Sequence, residues 1–426
     1  MRLCNLLICT LLSVLFITPN ISLASNWERI EPGETITITH SNGDEETISP
    51  SCAMPTLSSP VGEIPNNFAF YFEQGESDNL LIYFNGGGAC WDDASCLASL
   101  ALANDDSPTT QPTFNPSMYS ENTPTIVGGI LKDNSENPFK SWSKVFIPYC
   151  TGDLHIGSND FTYVDETGVV SGFPGTEIML RHRGYDNTMA VREWLKSKFQ
   201  SNSLKPDHVL LTGSSAGGYG ATFNFPYFQE ITTKKISLMA DASMAVISGD
   251  FVDNLLGYNG NWAVENSLHK SYRSMIGKFN EYKLNKQLVS RLSYGYPRNR
   301  FAQYSTGTDT VQIQFLKISD QIAKGNSNPY SWELSESDLK YIFRWQVQMN
   351  ASVHFLSAFT WNYQFYIGDG TCHTVLTDFC EKFGFPTTSP SPFYNEQSAE
   401  GIAFKDWLYD FATQRRFREK SVAYYH

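Results

Sequence analysis

Residues 208–218 read His-Val-Leu-Leu-Thr-Gly-Ser-Ser-Ala-Gly-Gly, and this stretch decides the fold. His208 to Thr212 is a short apolar run of strand length, the pattern of a strand buried on both faces. Gly213-Ser214-Ser215-Ala216-Gly217 is the only G-x-S-x-G in the chain. Residues 216–229 behind it are compatible with a helix. Strand, tight turn and helix make an elbow that pushes Ser215 into a strained, exposed position. Side chains in place of the flanking glycines would clash with neighbouring elements. Ser215 then stands at a helix N-terminus, where unpaired N–H groups and the helix dipole favour negative charge. Chance alone gives roughly 0.1–0.2 such motifs in a chain this long. The strand and helix context therefore carries the reading against a plain Gly/Ser turn.

Outward from the elbow, strand and helix signals alternate. Phe68–Phe72, Leu80–Phe84, Val145–Cys150, Lys235–Ala240, Phe301–Thr306 and Trp361–Ile367 read as strands. Tyr185–Phe199 has apolar residues at helical spacing, 310–324 reads as helix, and Phe404, Trp407, Leu408 and Phe411 mark a last amphipathic helix. The alternation predicts an α/β fold: a mostly parallel sheet with helices on both faces. Residues 103–143, rich in Pro, Ser, Thr and Asn, read as an irregular excursion. Residues 250–297 show no clear alternation and many aromatics, and read as a cap or insertion. The organisation expected is a leader over 1–24, an N-terminal extension over 25–65 and one domain over 66–426.

Three further sites complete a chemistry around Ser215. Asn85-Gly86-Gly87-Gly88-Ala89 follows the Leu80–Phe84 strand, and no G-K-[ST] follows it, so a nucleotide P-loop is not supported. Acyl transfer needs backbone N–H donors aimed at an oxyanion. The residue after the nucleophile, Ala216, and a glycine-rich loop after an earlier strand, around Gly88 and Ala89, supply them. Asp309 follows the Phe301–Thr306 strand and can orient a base, although Asp309-x-x-Gln312 is equally a helix capping box; Asp320 and Asp241 are the alternatives. His373 lies just after the Trp361–Ile367 strand, and the unperturbed pKa of an imidazole suits proton shuttling; His354 and His155 are the reserves. The chain order Ser215…Asp309…His373 is that of α/β-hydrolases.

Composition narrows the partners. The chain has 426 residues, 44 Asp+Glu against 31 Lys+Arg and a net charge of −13. That balance argues against nucleic acid, which needs clustered Lys/Arg, and against an electrostatic membrane anchor. Met1-Arg2, the apolar run Leu6–Ile17 and the small residues around Ser22-Leu23-Ala24 form a signal-peptide pattern, too short to span a bilayer. Cys4 and Cys9 lie too early for a lipid anchor. No later run is long enough to cross a membrane, so an exported chain without an integral membrane segment is expected, secreted or periplasmic.

Six cysteines remain after the leader, and an even count in an exported chain reads as disulfides. Cys90–Cys96 and Cys372–Cys380 are close in sequence, and Cys52–Cys150 follows by elimination. No Cys-x-x-Cys is present and the histidines are scattered, so neither a metal nor a cofactor is expected.

Asn85-Gly86-Gly87-Gly88-Ala89-Cys90-Trp91, Gly213-Ser214-Ser215-Ala216-Gly217-Gly218, Asp309-Thr310-Val311-Gln312 and Cys372-His373 together resemble the pectinacetylesterase/Notum family of secreted α/β-hydrolase-fold carboxylesterases, over about residues 66–385. The resemblance implies Ser215 as nucleophile, Asp309 as acid, His373 as base, and Gly88, Ala89 and Ala216 at the oxyanion hole. The chain departs from the family pattern at Asn85 and Ala89, and Cys150–Gly157 matches the corresponding loop only loosely. The expected activity is a serine carboxylesterase that removes acetyl or other short acyl groups from a polysaccharide or another small ester. A lipid or protein O-deacylase with the same triad and a non-catalytic binding module are the alternatives. Arg181 and Arg183 read as loop ion-pairing residues rather than sugar ligands. Acyl length, alcohol partner and oligomeric state are left open by the sequence.

Overall fold

The structure is a computed structural model that describes residues 26–59, 62–103, 113–118, 123–168, 170–335, 337–382, 385–387, 390–413 and 421–423. The leader over 1–24 lies outside the described residues. A nine-stranded sheet organises the chain. Its strands are β1 (Glu28–Ile30), β2 (Phe70–Glu73), β3 (Asn79–Phe84), β4 (Ser143–Ile147), β5 (His208–Ser214), β6 (Ile236–Asp241), β7 (Arg300–Thr306), β8 (Tyr363–Gly368) and β9 (Val422–Ala423). The order across the sheet is β1-β2-β4-β3-β5-β6-β7-β8-β9. Only β2 runs against its neighbours β1 and β4; from β4 to β9 every pairing is parallel.

The helices that position the site are α1 (Asp93–Ala103), α2 (Gly184–Gln200), α3 (Ala216–Glu230), α4 (Gly249–Leu255), α5 (Leu284–Gly295), α6 (Thr310–Ala323), α7 (Leu339–Phe359) and α8 (Phe404–Thr413). Successive strand side chains point to opposite faces, and the two main cores follow that alternation. Leu80, Ile82, Val209 and Leu211 pack on one face with residues of α2, α3, α5, α6 and α7. Leu81, Tyr83, Leu210 and Met239 pack on the other with Phe404, Trp407, Leu408 and Phe411 of α8. This is the expected α/β architecture. The continuous apolar runs of β3 and β5 are read correctly as strands buried on both faces, and β4 contains the short strand read at Val145.

Several segments differ from the sequence reading. Trp361 is exposed and precedes β8, which begins at Tyr363. Residues 26–65, polar and turn-rich, contain edge strand β1 and two short hairpins, Ile36–Thr39 with Glu45–Ile48 and Thr56–Ser59 with Gly62–Pro65. An antiparallel ribbon, Asn159–Asp165 with Thr176–His182, stands outside the sheet. These strands alternate half-exposed polar positions, so no continuous apolar run announces them. The segment 250–297 holds α4 and α5 with two single turns between them, Val264–Ser267 and Lys270–Arg273.

The three expected disulfides are present: Cys52–Cys150, Cys90–Cys96 and Cys372–Cys380. The first ties the N-terminal extension to the end of β4. Among the described residues, no helix is long and apolar enough to cross a membrane.

The elbow depends on backbone contact. A Cβ on Gly217 would overlap the carbonyl oxygen of Phe84 at the end of β3. Gly217→Ala should therefore destabilise the chain by about 1–3 kcal/mol through overpacking. A urea-unfolding midpoint equal to that of the parent would show that α3 can move away from β3 at no cost.

Candidate active site

Ser215 sits between β5 and α3 with φ 56° and ψ −123°. A non-glycine residue held there is strained, and such strain collects at functional sites. Its N–H donates to the Asp241 carbonyl (2.8 Å), and its own carbonyl accepts from Ser243 Oγ (2.7 Å). The glycine loop after β3 packs against the same turn. A Cβ on Gly86 would come 2.7 Å from the Ser214 carbonyl and 3.1 Å from Ser215 Cβ. The two glycine motifs read separately in the sequence are thus one interlocked backbone unit.

Asp309 and His373 form a second unit. The Asp309 carboxylate lies 2.9 and 3.0 Å from His373 Nδ1, and both residues are buried. Asp309 also caps α6: Oδ1 accepts from the Gln312 N–H (3.0 Å) and Oδ2 from Gln312 Nε2 (2.8 Å). The capping and orienting readings of Asp309 are therefore compatible, because a carboxylate has lone pairs for both. With Nδ1–H donating to the carboxylate, the imidazole lone pair lies on Nε2, the atom suited to accept a proton. The His373 loop is fixed from several sides. Cys372–Cys380 closes it, Thr306 Oγ1 donates to the Cys372 carbonyl (2.8 Å), and the Val375 and Leu376 N–H groups donate to Asp241.

Ser215, Ala216, Gly88, Ala89 and His373 line one pocket. Ala216 opens α3 at a position where helix geometry supplies no acceptor for its N–H. Ala89 corrects one expectation. Its N–H donates to the Thr113 carbonyl at 2.7 Å, beside the bridge between Gly88 and Phe114. That amide is committed to the fold and does not face an oxyanion. Gly88 has φ +76°, and a Cβ there would overlap Thr113 O, so only glycine fits this approach.

The rest of the pocket is hydrocarbon. Phe223, Val246, Phe251, Leu256, Leu288 and Phe315 are among its walls, around a cavity of about 70 Å³. Segment 250–297 supplies several of these side chains. Tyr219 and Gln312 are the polar wall residues; the Tyr219 hydroxyl accepts from Ala245 N (2.9 Å), and Gln312 is already engaged: its Oε1 accepts from Met244 N (2.8 Å) and its Nε2 faces Asp309 and Ser305. Its only sequence signal was the capping box.

The reserve residues fall elsewhere. Asp320 pairs with Lys324 on the exposed side of α6 and bonds Tyr341. Asp241 is wholly buried at the end of β6, where burial pushes its carboxyl up to about 6. His354 is on the exposed side of α7. His155 is buried under the glycine loop, its Nε2 2.9 Å from the Asn85 carbonyl, and burial pulls its pKa down to about 4. Asp153 is buried beside it and takes the Gly184 N–H (2.7 Å). Arg183 pairs with Asp160 (2.7 Å) and Asp186 (3.2 Å), as an ion-pairing residue does. Among the described residues, Cys90, Cys96 and His182 lie close enough to share an ion, but both sulfurs are spent in a disulfide.

The arrangement suits acyl transfer: a strained serine at a helix N-terminus, an imidazole held by a buried carboxylate, and backbone amides on one pocket. The pectinacetylesterase family model matches residues 66–415. Pectin acetylesterase 4 of Arabidopsis thaliana is 27% identical over 213 residues, covering 49% of this chain and 44% of that protein. Palmitoleoyl-protein carboxylesterase NOTUM of Schmidtea mediterranea is 27% identical over 195 residues, covering 45% of this chain and 32% of that protein. The chain thus spans under half the length of these curated relatives. The solved structure of the Wnt deacylase Notum from Drosophila aligns with a TM-score of 0.44 and 17% identity, covering 73% of this chain and 81% of that one.

The buried histidines near the glycine loop set an acid limit on stability. Burial pulls His182 down to about 4, while Nδ1 faces the Thr151 carbonyl and Nε2 the Tyr163 hydroxyl. Between pH 6.5 and 4 the unfolded chain binds a proton that the folded chain does not, so this group lowers stability as the pH falls. His182→Gln removes that term. The stability gap between parent and variant should narrow from pH 7 to pH 4.5 in urea titrations, and a constant gap would mean that His182 is charged in the fold.

Proposed function

This chain belongs to the pectinacetylesterase family, and on that premise we propose that it is an exported serine carboxylesterase. Ser215 Oγ attacks the ester carbonyl while His373 Nε2 takes its proton. His373 then returns that proton to the departing alkoxide, and Asp309 holds the imidazole in the tautomer this requires. The amides of Gly88 and Ala216 face the oxyanion. Water, deprotonated by the same imidazole, cleaves the acyl-enzyme and releases the acid. The observation that carries the reading is the buried Asp309–His373 pair on the pocket that Ser215 also lines. The leader pattern and the disulfides support export to a secreted or periplasmic location.

The pocket walls favour an acyl group longer than acetyl. An acetyl ester would leave most of this apolar surface uncovered, and the walls present few polar groups to a sugar ring. Each methylene buried adds about 0.8 kcal/mol. The acyl chain is therefore placed in the pocket and the alcohol, carbohydrate or otherwise, at its mouth.

Ser215→Ala should lower p-nitrophenyl ester turnover by roughly 10³–10⁶, and a variant within twofold of wild type would remove Ser215 from the mechanism. Asp309→Asn should lower kcat roughly 10⁴-fold with little change in Tm, because Asn also caps a helix. Across acetyl, butyryl and octanoyl esters, kcat/KM should rise roughly fourfold for each added CH₂ until the pocket is full. A maximum at acetyl would return the reading to short acyl groups.

A further inference from the structure

One buried carboxylate joins the two halves of the site. Asp241 ends β6 one strand away from the elbow, in register with Ser214. Its Oδ2 accepts from Ser214 Oγ (2.7 Å), from the Val375 N–H (2.9 Å) and from the Leu376 N–H (3.0 Å). Ser214 Oγ in turn accepts from the Tyr83 hydroxyl (3.0 Å). Ser214 adjoins the nucleophile, and Val375 is two residues past the base. Asp241 is therefore the point at which the nucleophile's strand and the base's loop are fastened to each other. Asp309 orients the imidazole ring; nothing in that bond fixes the loop against the elbow.

We propose, on the esterase reading above, that Asp241 is a positioning residue that must be ionised for activity, setting the His373 loop against the Ser215 elbow. The ionised form is required because three donors converge on it: two peptide N–H groups and a hydroxyl. A protonated carboxyl adds a fourth proton among them and loses the acceptor charge. The titratable groups that face Asp241 are Tyr83 from β3, Tyr304 from β7 and His373 from the loop. Burial holds both tyrosines above their ordinary range, so they stay neutral. A positive His373 favours the Asp241 carboxylate, and by reciprocity the carboxylate favours the imidazolium that forms during attack. Burial raises Asp241 to about 6, so it gains its proton as the pH falls through that value.

The test uses wild type, Asp241→Asn and Ser214→Ala on p-nitrophenyl butyrate from pH 5 to 9, with amide hydrogen exchange of the 372–378 segment. Asp241→Asn should lower kcat by roughly 10²-fold, the cost of misplacing a reacting group, with KM little changed. The wild-type acid limb should steepen toward two protons, and that of Asp241→Asn should fall to one. Ser214→Ala keeps the carboxylate but removes a donor that holds its pKa down, so the limb should stay two-proton and move to higher pH. If Asp241→Asn does not fold, this shift decides. Exchange at Val375 and Leu376 should quicken in Asp241→Asn. A one-proton limb in wild type, a KM effect without a kcat effect, or unchanged exchange at those amides overturns the proposal. Loss of the esterase reading shows separately, as full activity in Ser215→Ala or none in wild type, and exchange at the two amides still decides whether Asp241 holds the loop.

Discussion

The constraint on which the site rests is a contact between backbones. Gly217, in the first turn of α3, lies against the carbonyls of Phe84 and Asn85, and Gly86 lies against the carbonyl of Ser214. No side chain intervenes on either side. Parallel pairing of β3 with β5, Leu80 opposite Val209 and Phe84 opposite Gly213, brings the two turns to the same level. The glycines then let them touch. The left-handed backbone of Ser215 is held by this packing together with the bond from its N–H to the Asp241 carbonyl. Strain of this sort persists only where the surroundings over-determine it.

The remaining geometry follows from sheet register. Ser214 pairs with Asp241 and Asp241 with Tyr304, and the next strand continues the row with Tyr366. Every connection that leaves the carboxyl ends of these parallel strands therefore starts from one level, where open α/β sheets place their sites. Ser215 follows β5, the apolar wall 242–247 follows β6, Asp309 follows β7 and His373 follows β8. Residues separated by more than 150 positions meet because the strand order is monotonic from β5 to β8. Bonds across the loops then remove the freedom that is left. Gln312 links Asp309 to Met244, and Ser243 links the same segment to Ser215.

The sheet and the elbow at Ser215 were legible because their signals are local. A buried parallel strand is an unbroken apolar run, and a tight elbow demands glycine at fixed spacing. The short cysteine pairs were legible for the same reason. What the sequence hid depends on three-dimensional context. Ala89 sits one residue past the glycines, and nothing local reveals that Thr113 takes its N–H. Asp241 looks, as a letter, like any acid at a strand end; that its hydrogen bonds go to two loop amides, and not to the imidazole, depends on the path of residues 372–376. The ribbon of 159–165 with 176–182 and the hairpins of 26–65 alternate polar and half-buried positions, a pattern shared with loops.

The aromatics of 250–297 show why substrate is harder to read than mechanism. Trp262 and Tyr272 are core residues, fully buried, whereas Phe251 is both core and pocket wall. A hydrophobic side chain obeys the same rule, removal from water, whether its neighbour is the protein or a ligand's acyl chain. Composition therefore cannot separate the two uses, whereas a nucleophile and its base must keep specific polar partners that a motif can record. The apolar lining beside Ser215 is a statement of shape, made jointly by α3, α4, α5, α6 and the 242–247 segment. On the esterase reading, acyl preference would follow from how the segment between β6 and β7 packs over the polar centre: the same Ser215, Asp309 and His373 would serve a shorter acyl group if Phe251, Leu256 and Leu288 closed further onto Phe315.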